Sequence, residues 1–203
     1  MNIITAKRVR EIAVESHGTE IHRSNIFPAI TYYRFFRELV KEIQPELSFE
    51  LGTAAGGASM HMADGYPEGT VVTVDRGPRK VWKEHLAYVE ENYPNWNLWI
   101  MDTLEAPPVI REKFGLYKIG LLYVDATHER EQVLKELKKY KALLANGCVV
   151  VFDDLYLNPG MEKMWEEVTA VVSDSIRIDM MHPEVGFGAL VFKSGDFDNL
   201  PEE

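Results

Sequence analysis

Residues 119–156 read IGLLYVDATHEREQVLKELKKYKALLANGCVVVFDDLY, and their order decides the fold. Two apolar runs, Ile119–Val124 and Cys148–Phe152, have the length and branching of buried strands. Between them Leu134, Leu137, Tyr140, Leu143 and Leu144 recur at helical spacing, with Lys and Glu on the opposite side. Asn146-Gly147 supplies a C-terminal stop. A strand, helix and strand in this order make parallel strands that are neighbours or nearly so. Open parallel sheets bind ligands beyond the C-terminal ends of their strands. Acids stand there on both strands, Asp125 after the first and Asp153-Asp154 after the second, with His128 one turn past Asp125. Three convergent carboxylates repel one another unless a cation neutralises them. An oxygen ligand set favours Mg²⁺, Ca²⁺ or Mn²⁺ over zinc. A single Asp at a strand end more often caps the next helix. The Asp-Asp pair together with Asp125 and His128 favours the cation instead.

At 203 residues and 46% hydrophobic content, the chain suits one compact domain with a full core. A formal charge of −10 argues against nucleic acid and anionic membrane surfaces as partners, since phosphates demand Lys/Arg clusters. The lone Cys148 sits inside an apolar strand, so there is no disulfide framework. No apolar run approaches a membrane span, and MNIITAKRVREIAVES lacks a signal-peptide pattern. The expectation is a soluble protein of a reducing, cytoplasmic compartment.

Residues 3–15 suit a short helix, and His17–Pro28 is rich in turn formers; His17 and His22 read first as surface residues, with a place in a lid as the alternative. A helix follows from Tyr32 to Ile43 with Tyr32, Phe35, Phe36, Leu39 and Ile43 on one face. Its aromatics would suit a homodimer. Leu47–Leu51 reads as the first strand, Gly52–Gly57 as a tight loop and Ala58 as the start of a helix. The spacing Gly52-x-x-x-Gly56-Gly57 is not the dinucleotide fingerprint G-x-G-x-x-G. Glu50, two residues before the first glycine, suits a ligand with an ammonium group better than a phosphate. Thr70–Val74 is the second strand, and Asp75 at its tip is placed for ribose hydroxyls. A helix from Arg79 to Asn92 turns Trp82, Leu86 and Val89 to the core. Asn97–Met101 is the third strand, ending in Asp102, a candidate for an adenine amino group. Beyond the central unit come a helix over Met161–Val172 and strands over Ile176–Met181 and Gly186–Phe192. The short connection His182–Val185 makes that last pair an antiparallel hairpin. The four tryptophans read as core or edge residues, His182 as surface, the charges of Lys135–Lys141 as a solvated face, and Tyr156 as a pocket residue.

With these residues in place, the chain resembles the class I S-adenosylmethionine-dependent methyltransferases over roughly Pro28 to Lys193. That resemblance implies an α/β, Rossmann-like doubly wound seven-stranded sheet, mostly parallel with a terminal antiparallel β-hairpin and helices on both faces. It implies one domain over 1–203, with N-terminal helices and lid in 1–45, a cofactor-binding core in 46–193 and a tail in 194–203. Glu50, Gly52, Thr53, Gly56 and Gly57 resemble the motif that holds the methionine portion of the cofactor. Asp75 matches the ribose-binding acid and Asp102 the adenine-side acid, and Asp125 borders the same site. Asp125-x-x-His128 and Phe152-Asp153-Asp154 are similar to the metal-dependent small-molecule O-methyltransferases, including those acting on macrolide sugars, the cephalosporin-pathway enzymes and, more distantly, the catechol enzymes. Carried over, Asp125, Asp153 and Asp154 would hold Mg²⁺ and His128 would be the general base, kept neutral by the start of its helix. Two other readings stand beside this one. A non-catalytic S-adenosylmethionine-binding module is the first, and a nicotinamide-dependent oxidoreductase, disfavoured by the missing fingerprint, is the second.

Overall fold

The computed structural model describes residues 1–17, 33–77 and 79–201. Its centre is the β4–α6–β5 unit: β4 is Ile119–Val124, α6 is Arg130–Tyr140 and β5 is Leu144–Phe152. Every residue of β4 is buried, as expected of a strand covered on both faces. The helix ends earlier than its apolar spacing suggests. A short 3₁₀ turn, Lys141–Leu143, follows Tyr140, and Leu144 already opens β5. Asn146-Gly147 therefore lies inside the strand and does not stop the helix. It falls where the β4–β5 register shifts, between Ile119 and Leu121 on β4, so the turn-forming pair marks an irregularity in the ladder. The charged stretch of α6 is also not wholly solvated: Glu136 is fully buried and accepts a hydrogen bond from the Thr103 hydroxyl.

Outward from this unit, β1 (Leu47–Leu51), β2 (Thr70–Asp75) and β3 (Trp96–Ile100) continue the sheet on one side. On the other side lie β7 (Gly188–Val191) and β6 (Ser175–Arg177). The strand order is β3-β2-β1-β4-β5-β7-β6. All pairings are parallel except β5–β7 and β6–β7. The expected seven-stranded sheet with a reversed end is present, but β6 is shorter than anticipated and its link to β7 is longer. That link contains a 3₁₀ turn, Asp179–Met181, held because Asp179 Oδ1 accepts from the Phe187 N–H at 3.2 Å and from Arg177 Nε at 3.1 Å.

Helices cover both faces. Against one face pack α1 (Ala6–Ser16), α2 (Tyr33–Ile43), α3 (Gly57–Gly65) and α4 (Lys83–Asn92), meeting Leu121, Tyr123, Val149 and Val151. Against the other pack α5 (Ala106–Phe114), α6 and α7 (Pro159–Val171), meeting Phe49, Leu122, Val150 and Phe152. The alternation along each strand is the period-two rule of a sheet with two buried faces. The sequence reading passes over α5, whose Ala-Pro-Pro start looks like a breaker. Proline is tolerated in a first helical turn because the N–H it lacks has no partner there. Phe35 and Phe36 of α2 are fully buried within the chain, so they offer no face to a second copy. Tyr32 and His22 lie outside the described residues, and His17 is an exposed cap of α1. Trp96, Trp99 and Trp165 are buried, as expected, and Trp82 is half-buried. Phe197 and Leu200 of the C-terminal segment dock into the core beside α7 and do not trail from it. Among the described residues, no helix is long and apolar enough to cross a membrane.

Candidate active site

The C-terminal ends of β1, β2, β4 and β5 share one edge of the sheet, and the polar residues of interest gather there. The β1–α3 turn comes first. Gly52 holds φ +94° and its N–H donates to the Val74 carbonyl at 2.9 Å, which seats the loop against β2. A Cβ at this position would stand 2.2 Å from the Asp125 carbonyl oxygen, so backbone, not a movable side chain, excludes it. Gly52→Ala therefore combines a forbidden φ with overpacking and is expected to cost about 2–4 kcal/mol, measurable by urea unfolding. An unchanged unfolding midpoint would show that the turn is looser than this contact implies.

Glu50, two residues earlier, is 2% exposed. Burial pushes its carboxyl up to about 8, against the pull of hydrogen bonds from Thr73 and Ser59. Its Oε2 is buried with no hydrogen-bond partner among the described residues. A buried acid with one open oxygen, beside a helix N-terminus and a turn that brings backbone close, is an incomplete arrangement. A cationic ligand group completes it.

Asp75 ends β2 and ties the loop from the other side. Its Oδ2 accepts from the Thr53 N–H at 3.2 Å and its Oδ1 from the Gly77 N–H at 2.9 Å. Between the strand ends lies a cavity of about 140 Å³ lined by Gly52, Val74, Asp75, Arg76, Thr103, Ala126 and Thr127. Asp102 is not in that lining. Its Oδ2 pairs with Arg76 Nη2 at 2.7 Å and its Oδ1 accepts from the Leu104 N–H at 2.9 Å. These partners, the Leu104 N–H foremost, hold its carboxyl below the usual range. Asp102 is thus the ion-pair partner of Arg76, which lines the cavity.

The acids after β4 and β5 converge. The fully buried Tyr123 points its hydroxyl between Asp125 Oδ2, at 3.1 Å, and Asp153 Oδ2, at 3.0 Å. One phenol proton serves only one of the two carboxylates at a time, so the rest of their charge is left to other groups around them. Burial pushes Asp125 up, and His128 pulls it back. His128 Nε2 stands 2.6 Å from Asp154 Oδ2 and 3.6 Å from Asp125 Oδ1. Ligand atoms of Asp125, His128 and Asp154 all lie within 4.8 Å of one another. Asp154 adopts φ +57°, a left-handed backbone that a non-glycine residue adopts only at a cost. Asn158, the N-cap of α7, donates from Nδ2 to the His128 carbonyl at 2.8 Å and so fixes the loop that carries the histidine.

Two expectations change here. His128 is not kept neutral by the start of α6. Asp125 and Asp154 outweigh the helix end and push its pKa up to about 10. His182 is not a bystander on the surface, since its Nδ1 lies 2.8 Å from Asp153 Oδ1 and it forms a second close group with Asp153 and Asp154. Asp153 Oδ1 also accepts from the Asp154 N–H at 2.8 Å, so both oxygens of this 3%-exposed acid face protein groups. Asp153 shares that second group with Asp154 and His182, while Asp125 and Asp154 share the first with His128. Tyr156 is 40% exposed and donates from its hydroxyl to Asp179 Oδ2 at 2.8 Å, securing the connection that carries His182.

Comparison with known proteins bears on the fold and the family. The curated relatives include the rhamnosyl O-methyltransferases of Mycobacterium bovis and Mycobacterium tuberculosis, 27% identical over 133 residues. That alignment covers 61% of this chain and 51% of the relatives, so the chain spans about half the length of the curated relatives it matches. Among solved structures, a TDP-rhamnose 3'-O-methyltransferase of calicheamicin biosynthesis shares the fold with TM-score 0.63 at 18% identity, covering 92% of each chain. A Bacillus cereus O-methyltransferase in complex with SAH does so with TM-score 0.61 at 15% identity, covering 92% of this chain and 90% of that one. A Streptomyces achromogenes O-methyltransferase of tomaymycin synthesis, in complex with SAM, gives 0.62 at 19% identity, covering 94% and 92%. A family model described as a methyltransferase domain matches residues 49–155, from the strand that carries Glu50 to the acids after β5. The chain belongs to that methyltransferase family.

Proposed function

We propose that the chain is an S-adenosylmethionine-dependent O-methyltransferase, working as one domain with Mg²⁺ or a similar divalent cation on a hydroxyl of a sugar or sugar-bearing natural product. The observation that carries this reading is the meeting of Asp125, His128 and Asp154 within 4.8 Å, at the same sheet edge as the open oxygen of Glu50. The donor set fits a hard cation through its carboxylate oxygens. Asp125 and Asp154 would hold it, with Asp153 braced behind them by Tyr123 and His182. When bound, such a cation neutralises the acids and lowers the pKa of a hydroxyl beside it. The chain's own residues do the rest. Glu50 Oε2 takes the ammonium of the donor, Asp75 the ribose hydroxyls, and the Gly52–Gly57 turn lets the backbone close on the methionine portion. His128 Nε2 accepts the proton of the acceptor hydroxyl, which frees that oxygen to attack in line with the methyl group.

Both the rhamnosyl relatives and the TDP-rhamnose enzyme act, by their names, on a deoxysugar, which favours that acceptor class here. Incubation of the purified chain with methyl-labelled S-adenosylmethionine and a nucleotide-linked rhamnose tests the reading. The label is expected on the sugar with Mg²⁺ present, at least ~100-fold less with a chelator, and again on adding Mg²⁺ back. Tight donor binding with no transfer to any sugar or phenol, with metal present, would favour the binding-module reading instead.

A further inference from the structure

Helix α2 opens on Tyr33, whose ring lies over the start of α3. A Cβ on Gly57 would stand 2.2 Å from Tyr33 Cζ and 2.3 Å from its hydroxyl oxygen, so the phenol occupies the space a side chain would need. The residue is 6% exposed. Its ring meets that of His61 at 5.3 Å, and His61 Nδ1 lies 2.9 Å from the Gly57 carbonyl oxygen, which completes a small cage around the helix start. One turn along α2, Phe36 packs 4.5 Å from the ring of Tyr123, whose hydroxyl joins Asp125 to Asp153. The first turn of α2 thus rests on both halves of the site, the glycine turn and the acid cluster.

Burial dominates the environment of this phenol. Burial raises its pKa well above the tyrosine range, and Glu50, Asp125 and Asp153 raise it further by their charge, so it stays neutral at physiological pH. A neutral phenol seated over the glycine turn offers an oxygen lone pair and an electron-rich ring, both of which favour a cationic ligand group over a neutral one. If Glu50 takes the donor's ammonium, the donor's second positive centre, its sulfonium, lies between Glu50 and the acids that flank the acceptor.

We propose that Tyr33 is a positioning residue for the methyl donor, its phenol oxygen facing the sulfonium and the methyl group that sulfur carries. This inference rests on the S-adenosylmethionine reading above. It has a specific consequence, because the product S-adenosylhomocysteine is a neutral thioether. An oxygen that acts on the charge favours donor over product, whereas a ring that merely packs treats both alike.

Calorimetric titration of wild type and Tyr33→Phe with S-adenosylmethionine and S-adenosylhomocysteine separates these cases. Phenylalanine keeps the ring over Gly57, and the ratio of the two Kd values does not depend on how much of the sample is folded. We expect about fivefold weaker binding of S-adenosylmethionine in the variant, with S-adenosylhomocysteine changed less than about twofold. Equal losses for both ligands, or an unchanged ratio, would overturn the proposal. Wild-type protein that binds neither ligand is a distinguishable result: it removes the donor reading itself and this inference with it.

Discussion

Replacing Glu50 with glutamine is expected to stabilise the ligand-free chain at pH 8 and to weaken S-adenosylmethionine binding about 100-fold. Both effects have one cause. The Glu50 carboxyl ordinarily titrates at 4.5 and is pushed up to about 8 in the fold by burial. Below 4.5 the folded and unfolded chains both carry the proton, and the residue costs nothing. Between 4.5 and 8 only the unfolded chain ionises freely, so stability falls as pH rises through that window. By pH 8 the loss is on the order of 2–4 kcal/mol, and glutamine, which never ionises, does not incur it. The same substitution removes the charge that receives the donor's ammonium. Thermal melts of both proteins from pH 5 to 9, with and without donor, measure the two effects together. Parallel curves for the two proteins across that range would show that Glu50 is not strained by its burial.

The second large effect concerns His128. His128→Ala is expected to lower turnover by roughly 10²–10⁴-fold while donor affinity stays within about twofold, because a base contributes to the reaction and not to donor binding. The pH dependence of the wild-type protein carries more information. Asp125, then Asp154, push the His128 pKa up to about 10. A base must be neutral, so with the acids unneutralised, activity should climb with pH towards 10 and be slight at pH 7. A divalent cation that offsets the two carboxylates removes the cause of the upward shift. The acidic limb of log kcat/KM should therefore move to lower pH as Mg²⁺ is raised, and it should vanish in His128→Ala. A limb that stays at the same pH across Mg²⁺ concentrations would separate the histidine from the cation.

The sheet and the glycine turn were legible because they rest on local patterns. Ile119–Val124 and Cys148–Phe152 could be read as neighbouring parallel strands from their run lengths and the helix between them, and Glu50 stood out as an acid two residues before the glycine turn. His182 was not legible in that way. Its place follows from register: Phe152 pairs with Gly188, so the residues just before β7 must lie beside those just after β5, where Asp153 sits. Reading 182–185 as a tight turn hid this, because the Asp179 side chain, bonded to Arg177 and Phe187, sustains a longer loop that no strand pattern signals. Tyr123 was read as one more apolar strand residue. Only its position two residues before Asp125, on the same side of the strand, hinted that its hydroxyl reaches the acids. The upward push on His128 was missed because Asp125 and Asp154 were weighed as ligands of a cation and not as partners of the histidine itself.

The strand order carries a consequence for how the chain is born. β7 lies between β5 and β6, although it follows both in the chain and is the last of the described strands. Until residues 188–191 leave the ribosome, β5 has an unpaired border rich in valine, and His182 has no frame to hold it against Asp153. The nascent chain can thus assemble the donor-side turn early, but its acid cluster is finished only after β7 has emerged and paired with β5.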